Sequence, residues 1–278
     1  MTPAATARLD ALLAGAGALL PVMGILNATP DSFSDGGRHD AAPVARGEAL
    51  AAEGAAIIDI GGESTRPGFT PVPAEEEWRR IGPAVAALAR RLPVPLSVDT
   101  SKAEVARHAL AAGAAMVNDI WGFQGDPAMA DTVAAAGAGA VLMHNRHDID
   151  PARDIAEDLL AFFARSLARA EAAGVARHRL VLDPGIGFGK TQDQQIAAIR
   201  AIGRLRDAFG LPVLVGLSKK RFLGAITGAP VERRGAETLA ANLAAAAAGA
   251  TLFRVHDVAD HVAALKVFGA IRTPGSLA

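Results

Sequence analysis

Residues 95–120 decide the fold, and they read PLSVDTSKAEVARHALAAGAAMVNDI. A short apolar run opens the stretch and predicts a buried strand, which ends where a polar cluster begins at Asp99. A segment with helical spacing follows, and Gly113 just beyond it is typical of a helix C-terminal cap. The stretch closes on a second apolar run, so it predicts one strand–helix–strand unit with parallel strands.

The same unit recurs along the whole chain of 278 residues. Eight strands that alternate with eight helices predict an α/β fold, the single (β/α)8 TIM barrel, for which about 250 residues is typical. A doubly wound open sheet is the alternative. No linker-like stretch divides the sequence, so we expect one domain over residues 1–278, with its core over about 18–272. The predicted strands are 20–26, 56–60, 95–98, 116–120, 140–143, 180–182, 212–217 and 251–255. The predicted helices are 41–53, 74–91, 102–112, 127–136, 153–173, 193–209, 236–248 and 258–268.

The composition excludes several classes of protein. Hydrophobic residues make up 51% of the chain and charged residues 21%, as in a globular rather than a disordered protein. Because there is no cysteine, a disulfide scaffold, a thiolate metal site and a cysteine nucleophile are excluded. The net charge of −1 gives no overall attraction to nucleic acid. No apolar run is long enough for a membrane span, and Arg8 alone is a poor start for a signal peptide, so we expect a cytoplasmic protein.

Polar side chains stand at the C-terminal end of every predicted strand. In a TIM barrel these ends form the active-site face, and charged groups beside a buried strand are costly unless they are paired or solvated. Eight such clusters on one rim favour an active site over a set of helix caps. In strand order the clusters contain Asn27; Asp59; Asp99; Asn118 and Asp119; His144, Asn145 and Arg146; Asp183; Lys219 and Lys220; and Arg254, His256 and Asp257.

These groups divide by charge. Asp99, Asn118 and Asp183 suit a flat heterocycle with several N–H groups, because a carboxylate accepts two hydrogen bonds and an amide both donates and accepts. Asn27 offers a neutral oxygen to Mg2+, a cation that shares its oxygen ligands with substrate phosphates. The bases suit a phosphate or diphosphate, and they are Arg66, Lys219, Lys220, Arg254 and His256. The residues therefore predict a heterocycle that bears a diphosphate as its leaving group.

Two other motifs suggest different chemistry. Residues 184–191, PGIGFGKT, nearly match a Walker A loop, but Pro184 stands where that motif requires Gly. The imidazoles of His144, His147 and His256 lack the spacing of a zinc site. We therefore favour neither a nucleotide-binding loop nor a zinc centre. For Asp119 the sequence leaves two interpretations open, a ligand contact or a loop cap.

Eight segments resemble the signatures of the dihydropteroate synthase family, and they follow one another in the family's order. The two longest are MGILNATPDSFSDGG at 23–37 and GGESTRPG at 61–68. The others are SVDT at 97–100, VND at 117–119, LMH at 142–144, DPGIGFGK at 183–190, SKKRFLG at 218–224 and RVHDV at 254–258. The resemblance covers nearly the whole chain.

The resemblance implies a transferase of folate biosynthesis. In that reaction 6-hydroxymethyl-7,8-dihydropterin diphosphate condenses with 4-aminobenzoate, and the products are 7,8-dihydropteroate and diphosphate. The resemblance also implies Mg2+ as cofactor, a homodimer, and inhibition by sulfonamides, which mimic 4-aminobenzoate. The expected partners are then small-molecule substrates and a second copy of the chain, with neither nucleic acid nor a membrane.

The resemblance also assigns roles to particular residues. The implied pterin-binding group is Asp99, Asn118, Asp183 and Lys220. The implied ligand of Mg2+ and diphosphate is Asn27, and the implied diphosphate clamp is Arg66, Arg254 and His256. The implied aminobenzoate pocket contains Thr65, Pro67 and the loop 28–37 with Asp31, Phe33 and Asp35. The candidate catalytic residues are Asp99, Asp183, Lys220, Arg254 and His256.

Two positions depart from the family pattern, since Arg221 replaces a Ser and Asn145 replaces a Met found in many relatives. The mechanistic hypothesis is a dissociative displacement in which cations stabilise the departing diphosphate. It predicts that Asp183→Asn and Arg254→Ala each cut turnover strongly and leave the fold intact. The alternatives are a non-catalytic pterin-binding paralogue, a pterin-dependent methyltransferase and a phosphosugar barrel enzyme.

Overall fold

The computed structural model describes residues 3–15, 20–28, 41–63 and 72–272, and these contain eight parallel strands. The strands are β1 (Val22–Asn27), β2 (Ile57–Gly61), β3 (Leu96–Asp99), β4 (Met116–Asp119), β5 (Gly139–Met143), β6 (Leu180–Asp183), β7 (Leu214–Val215) and β8 (Leu252–Val255). Their order in the sheet is β6-β5-β4-β3-β2-β1-β8-β7. A parallel bridge between Leu182 and Val213 brings the two ends of this sheet together. The predicted (β/α)8 barrel is therefore confirmed, and it is nearly closed.

Helices connect the strands, and local sequence sets their ends. Asp154 precedes α6 and its side chain accepts hydrogen bonds from the N–H groups of Ala156 and Glu157, while Gly174 ends the helix with a φ of 83°. The described helices are α1 (Pro3–Leu13), α2 (Ala41–Ala52), α3 (Ala74–Arg91), α4 (Ala103–Ala112), α5 (Met129–Ala135), α6 (Ile155–Ala173), α7 (Gln192–Arg200), α8 (Ile202–Phe209), α9 (Arg221–Thr227), α10 (Gly235–Ala247) and α11 (Val258–Arg272). Two 3-10 helices span Arg177–Arg179 and Val231–Arg233.

The structure corrects some of the predicted elements. The single helix predicted over 193–209 is wrong, because the chain turns at Ala201 and begins α8 there. The turn lets α8 bury Ile202 and Leu205 in the main core. The strand predicted over 212–217 is reduced to the two residues of β7. The sequence predicted neither α1 nor α9, whereas the remaining bounds agree to within a few residues.

The inner side of the barrel wall has its own apolar cluster. Alternate residues of a strand face opposite sides, so one set packs against the helices and the other points into the barrel. The inward set near the amino ends of the strands packs against Leu9 of α1, which is 1% exposed. Arg179 donates two hydrogen bonds to Asp10 of α1, at 2.7 and 2.8 Å. Helix α1 thus covers the amino-terminal end of the barrel. The strand members of the cluster are Met23, Ile57, Met116, Val141, Val181, Leu214 and Leu252.

Among the described helices, none has the length and apolar character that crossing a membrane requires. The single domain over 1–278 stays a prediction.

Candidate active site

A polar layer lies on the inner face of the barrel, nearer the carboxyl ends of the strands. Because side chains two residues apart face the same side, Asp59, Asn118, Asp183 and Arg254 each follow an apolar member of the inner cluster by two positions. Asp99 is paired in register with Asn118. The apolar cluster therefore lies beneath a polar layer inside the barrel.

Arg254 connects strands on different sides of this layer. Its Nε donates to Asp59 Oδ2 at 2.6 Å, and its Nη2 donates to Asp99 Oδ2 at 2.7 Å. Asn118 Nδ2 also donates to Asp59 Oδ2, at 3.1 Å. The predicted separation of acidic and basic groups is therefore wrong for Arg254. The physical reason is that the carboxylates of Asp59 and Asp99 are buried and need a cation, which the partly buried guanidinium supplies.

Three buried oxygen atoms in this layer accept no hydrogen bond from any described residue. They are Asp59 Oδ1, Asp99 Oδ1 and Asn118 Oδ1. An unsatisfied buried acceptor costs about 1–3 kcal/mol, so such atoms call for a donor. A ligand with several N–H groups supplies what this layer lacks. The sequence analysis placed Asp59 among the strand-end clusters but gave it no binding or catalytic role, although a charged residue inside the apolar run 56–60 is a visible signal for one.

Burial also changes the acidity of the two pterin-site carboxyl candidates. It raises the pKa of Asp99 to about 7, although the charge of Arg254 acts against this shift. Burial raises the pKa of Asp183 too, against the charges of Lys220 and Arg254. A ligand that donates N–H hydrogen bonds to these oxygens favours their ionised forms.

The other predicted residues that the structure describes lie around the same mouth. Lys220 directly precedes α9, and its Nζ lies 4.5 Å from the centroid of the Phe188 ring. His256 follows β8, and its Nδ1 is 2.8 Å from Ser218 Oγ. Asn27 ends β1 and is paired in register with Gly61. Thr65, Arg66, Pro67 and the residues Asp31, Phe33 and Asp35 lie outside the described residues.

The structure also shows the surroundings of Asp119, a candidate ligand contact or loop cap, and of His144, a candidate zinc ligand. Asp119 accepts hydrogen bonds from the N–H groups of Trp121 and Phe123, at 2.9 and 2.7 Å, so it caps its loop. His144 is fully buried, with its Nε2 2.8 Å from Asp158 Oδ2. Among the described residues no group of three His, Asp or Glu side chains is arranged for a metal ion.

His144 gives a testable pH dependence of stability. Burial lowers its pKa to about 4, although the hydrogen bond to Asp158 acts against this shift. In the unfolded chain the imidazole binds its proton near pH 6.5. Between these values the unfolded state holds more protons, so acidification favours unfolding. We expect this residue to remove about 3 kcal/mol of the free energy of unfolding between pH 6.5 and pH 4.

Urea unfolding at pH values from 7 to 4 measures this effect. The His144→Asn variant lacks the titrating group, and its free energy of unfolding should therefore fall less steeply over this range than that of the parent chain. Equal slopes for the two proteins would contradict the assignment.

Comparison with known proteins agrees with this geometry. The family model described as "Pterin binding enzyme" matches residues 23–256. The dihydropteroate synthase of Bacillus subtilis is 42% identical over 258 residues, which are 92% of this chain and 90% of that protein. A solved dihydropteroate synthase of Clostridium difficile, in the presence of pteroic acid, has a TM-score of 0.89 at 40% identity and covers 92% of this chain and 97% of its own. That of Xanthomonas albilineans with 4-aminobenzoic acid has a TM-score of 0.87 at 47% identity, over 91% and 93% of the two chains.

A barrel whose mouth is lined by these buried acceptors, with that family match, belongs to the pterin-binding enzymes. Among them, the identities over nine-tenths of both sequences place the chain in the dihydropteroate synthase family.

Proposed function

We propose that the chain condenses 6-hydroxymethyl-7,8-dihydropterin diphosphate with 4-aminobenzoate, and that it releases 7,8-dihydropteroate and diphosphate. The observation that carries this proposal is the layer of buried, unsatisfied acceptors, Asp59 Oδ1, Asp99 Oδ1 and Asn118 Oδ1, at the mouth of a barrel of this family. A pterin ring has amino and ring N–H groups that match such acceptors. The relatives solved with pteroic acid and with 4-aminobenzoic acid support both substrates.

We assign the pterin ring to Asp99, Asn118, Asp183 and Lys220. Asp183 Oδ1 already accepts the Gly185 N–H at 2.8 Å, which leaves its second oxygen for the ligand. The ammonium of Lys220 lies near enough to Asp99 and Asp183 to act on the pKa values of both. These groups orient the ring and stabilise the positive charge that develops on its exocyclic carbon.

We assign the diphosphate to Arg66, Arg254 and His256. The hydrogen bonds to Asp59 and Asp99 use Nε and Nη2 of Arg254, so Nη1 is the atom proposed to face the leaving group. As the carbon–oxygen bond breaks, these cations stabilise the charge on the departing diphosphate. The aromatic amine of 4-aminobenzoate then attacks the carbon with its nitrogen lone pair, and the ammonium that forms loses one proton to water. This acidic ammonium needs no strong general base.

The side chains present fit a Mg2+ ion that arrives with the diphosphate. Asn27 offers one amide oxygen at the rim, and the described residues contain no ready cluster of carboxylates for a tightly held ion. Mg2+ keeps several waters and shares substrate phosphate oxygens, so one neutral protein ligand suits it. When bound, the ion would neutralise part of the negative charge on the leaving diphosphate.

We further propose a homodimer through the face formed by α10 and α11. A cavity of about 500 Å³ lies there, lined mainly by small and apolar residues such as Leu239, Ala264 and Val267. Val267 is 60% exposed and Ile271 is 77% exposed, and their spacing of four residues places both on one side of α11 as an exposed apolar patch. Light scattering should give twice the chain mass of 28.4 kDa, and a monomer in solution would contradict the proposal. The sequence features given above support a cytoplasmic location.

The deciding experiment measures diphosphate release from dihydropterin diphosphate, 4-aminobenzoate and Mg2+, beside a control without 4-aminobenzoate. Release that requires 4-aminobenzoate is the expected result. Pterin binding without release would indicate a binding paralogue or a methyltransferase-like barrel. Absence of both would indicate a different barrel enzyme, such as one acting on phosphosugars.

A further inference from the structure

Lys190, the lysine of the motif at 184–191 that nearly matches a Walker A loop, is buried and bonded to the protein, unlike a phosphate-binding lysine. Lys190 is only 4% exposed. Its Nζ lies 2.9 Å from the carbonyl oxygen of Gly185, 3.0 Å from that of Phe188 and 2.8 Å from Nδ1 of His144. An ammonium has three N–H donors. All three are used by the protein itself, so none is left for a phosphate.

The hydrogen-bond partners fix where the protons lie. His144 Nε2 is 2.8 Å from the carboxylate of Asp158, which only accepts, so Nε2 carries the proton and Nδ1 is the acceptor. Lys190 is then the donor to Nδ1. Burial lowers the pKa of Lys190 to about 7, and the charge of Asp183 acts against this shift. The result is a continuous chain of hydrogen bonds from α6 to the loop that follows β6.

That loop contacts two of the groups assigned to the pterin ring, Asp183 at the end of β6 and Lys220 just before α9. At one end, the N–H of Gly185 donates to Asp183 Oδ1 at 2.8 Å. At the other end, the Phe188 ring lies 4.5 Å from the Nζ of Lys220. The loop packs closely against the end of β5, because Gly185 has a φ of 64° and a Cβ there would overlap the carbonyl oxygen of His144. Lys190 binds the carbonyl groups of the same two residues, Gly185 and Phe188.

We propose that Lys190 is a positioning residue for pterin binding, which holds the loop after β6 so that Asp183 and Lys220 face the ring. The inference rests on the proposed function only for the identity of the ligand. Removal of the ammonium leaves two carbonyl oxygens and an imidazole nitrogen without their buried donor. The loop then relaxes, and both pterin contacts move with it.

The Lys190→Met variant tests this directly, because it keeps most of the apolar stem and removes every donor. Calorimetry with 6-hydroxymethylpterin should show an affinity at least about tenfold lower, as expected when displaced groups bind poorly. The KM for the pterin diphosphate should rise likewise, while the KM for 4-aminobenzoate stays within about twofold. The matched control is Lys266→Met on the exposed part of α11, which should bind the pterin as the parent does.

A second pair of variants decides the matter if Lys190→Met does not fold. His144→Asn and His144→Leu have side chains of nearly equal size, and both lose the contact with Asp158. Only Asn offers an oxygen to Lys190 near the position of Nδ1. We expect His144→Leu to bind the pterin several-fold more weakly than His144→Asn.

Two results would overturn the proposal. One is a folded Lys190→Met variant with the pterin affinity of the parent chain, and the other is equal pterin affinity in the two His144 variants. Failure of the proposed function is distinguishable, because it would appear in the parent chain itself, either as no pterin binding or as pterin binding without diphosphate release.

Discussion

Replacement of Asp183 by Asn is expected to lower kcat/KM about 100-fold while the protein stays folded. The Asn side chain has the same size, and its carbonyl oxygen still accepts the N–H of Gly185, which is 2.8 Å from Asp183 Oδ1. Its NH2 group, however, then faces the ligand where the carboxylate oxygen stood. A donor would meet the N–H donors of the pterin, and the negative charge that stabilises the developing cation would be lost.

Steady-state kinetics and thermal unfolding together measure this effect. Asp193→Asn is the matched control, because Asp193 is exposed in the first turn of α7 and makes the same change of charge. It should leave both kcat/KM and Tm unchanged. An Asp183→Asn enzyme within about threefold of the parent activity would remove Asp183 from the catalytic residues.

Replacement of Arg254 by Ala is expected to abolish most activity and to destabilise the fold by about 3–5 kcal/mol. The sequence alone predicted an intact fold for this variant. The structure leads to a different expectation, since Arg254 holds the buried carboxylates of Asp59 and Asp99 through bonds of 2.6 and 2.7 Å. Without the guanidinium, both buried carboxyl groups lose their cation and their hydrogen-bond donor, and burial raises the pKa of Asp99 further, so that this group takes up a proton.

A double variant separates the loss of stability from the loss of activity. Asp59→Asn removes one of the two carboxyl groups that lose their cation. Adding it to Arg254→Ala should therefore restore part of the free energy of unfolding. It should not restore turnover, because the cation proposed to face the diphosphate is still absent. Arg204→Ala is the control on the surface, where its exposed pair with Glu157 is worth less than about 1 kcal/mol. A stable Arg254→Ala variant would contradict this account of the polar layer.

The sequence was sufficient to predict that polar residues at the strand ends meet at one rim, because parallel strands bring their carboxyl ends together, whereas the roles of these residues stay predictions. Asp99, Asn118 and Asp183 stand at the carboxyl ends of β3, β4 and β6 for that reason. The hydrogen bond from Arg254 to Asp59 joins residues 195 positions apart, and no local sequence pattern predicts it. Whether a polar side chain meets a ligand or another side chain depends on barrel register, which only the structure supplies.

The sequence also did not predict helical features that lack a strong local pattern. Helix α1 is stabilised by packing of Leu9 against the inner cluster rather than by a clear periodicity of its own. The break at Ala201 is not marked by Gly or Pro at that position, and tertiary packing decides it. Lys190 belongs to a segment that resembles a nucleotide-binding motif in sequence. Only the structure shows that its ammonium binds three acceptors of the protein itself.

The line between β6 and β7, where the two ends of the sheet meet, is where the barrel wall should open most easily. Within the described strands, β1 and β2 share five register pairs, whereas β6 meets the segment before β7 through a single bridge, Leu182 to Val213. Local opening needs the least free energy where the fewest backbone hydrogen bonds must break. Asp183 and Lys220 stand on opposite sides of this line. Local opening along this line would therefore change the distance between Asp183 and Lys220, and amide hydrogen exchange should be faster there than between β1 and β2.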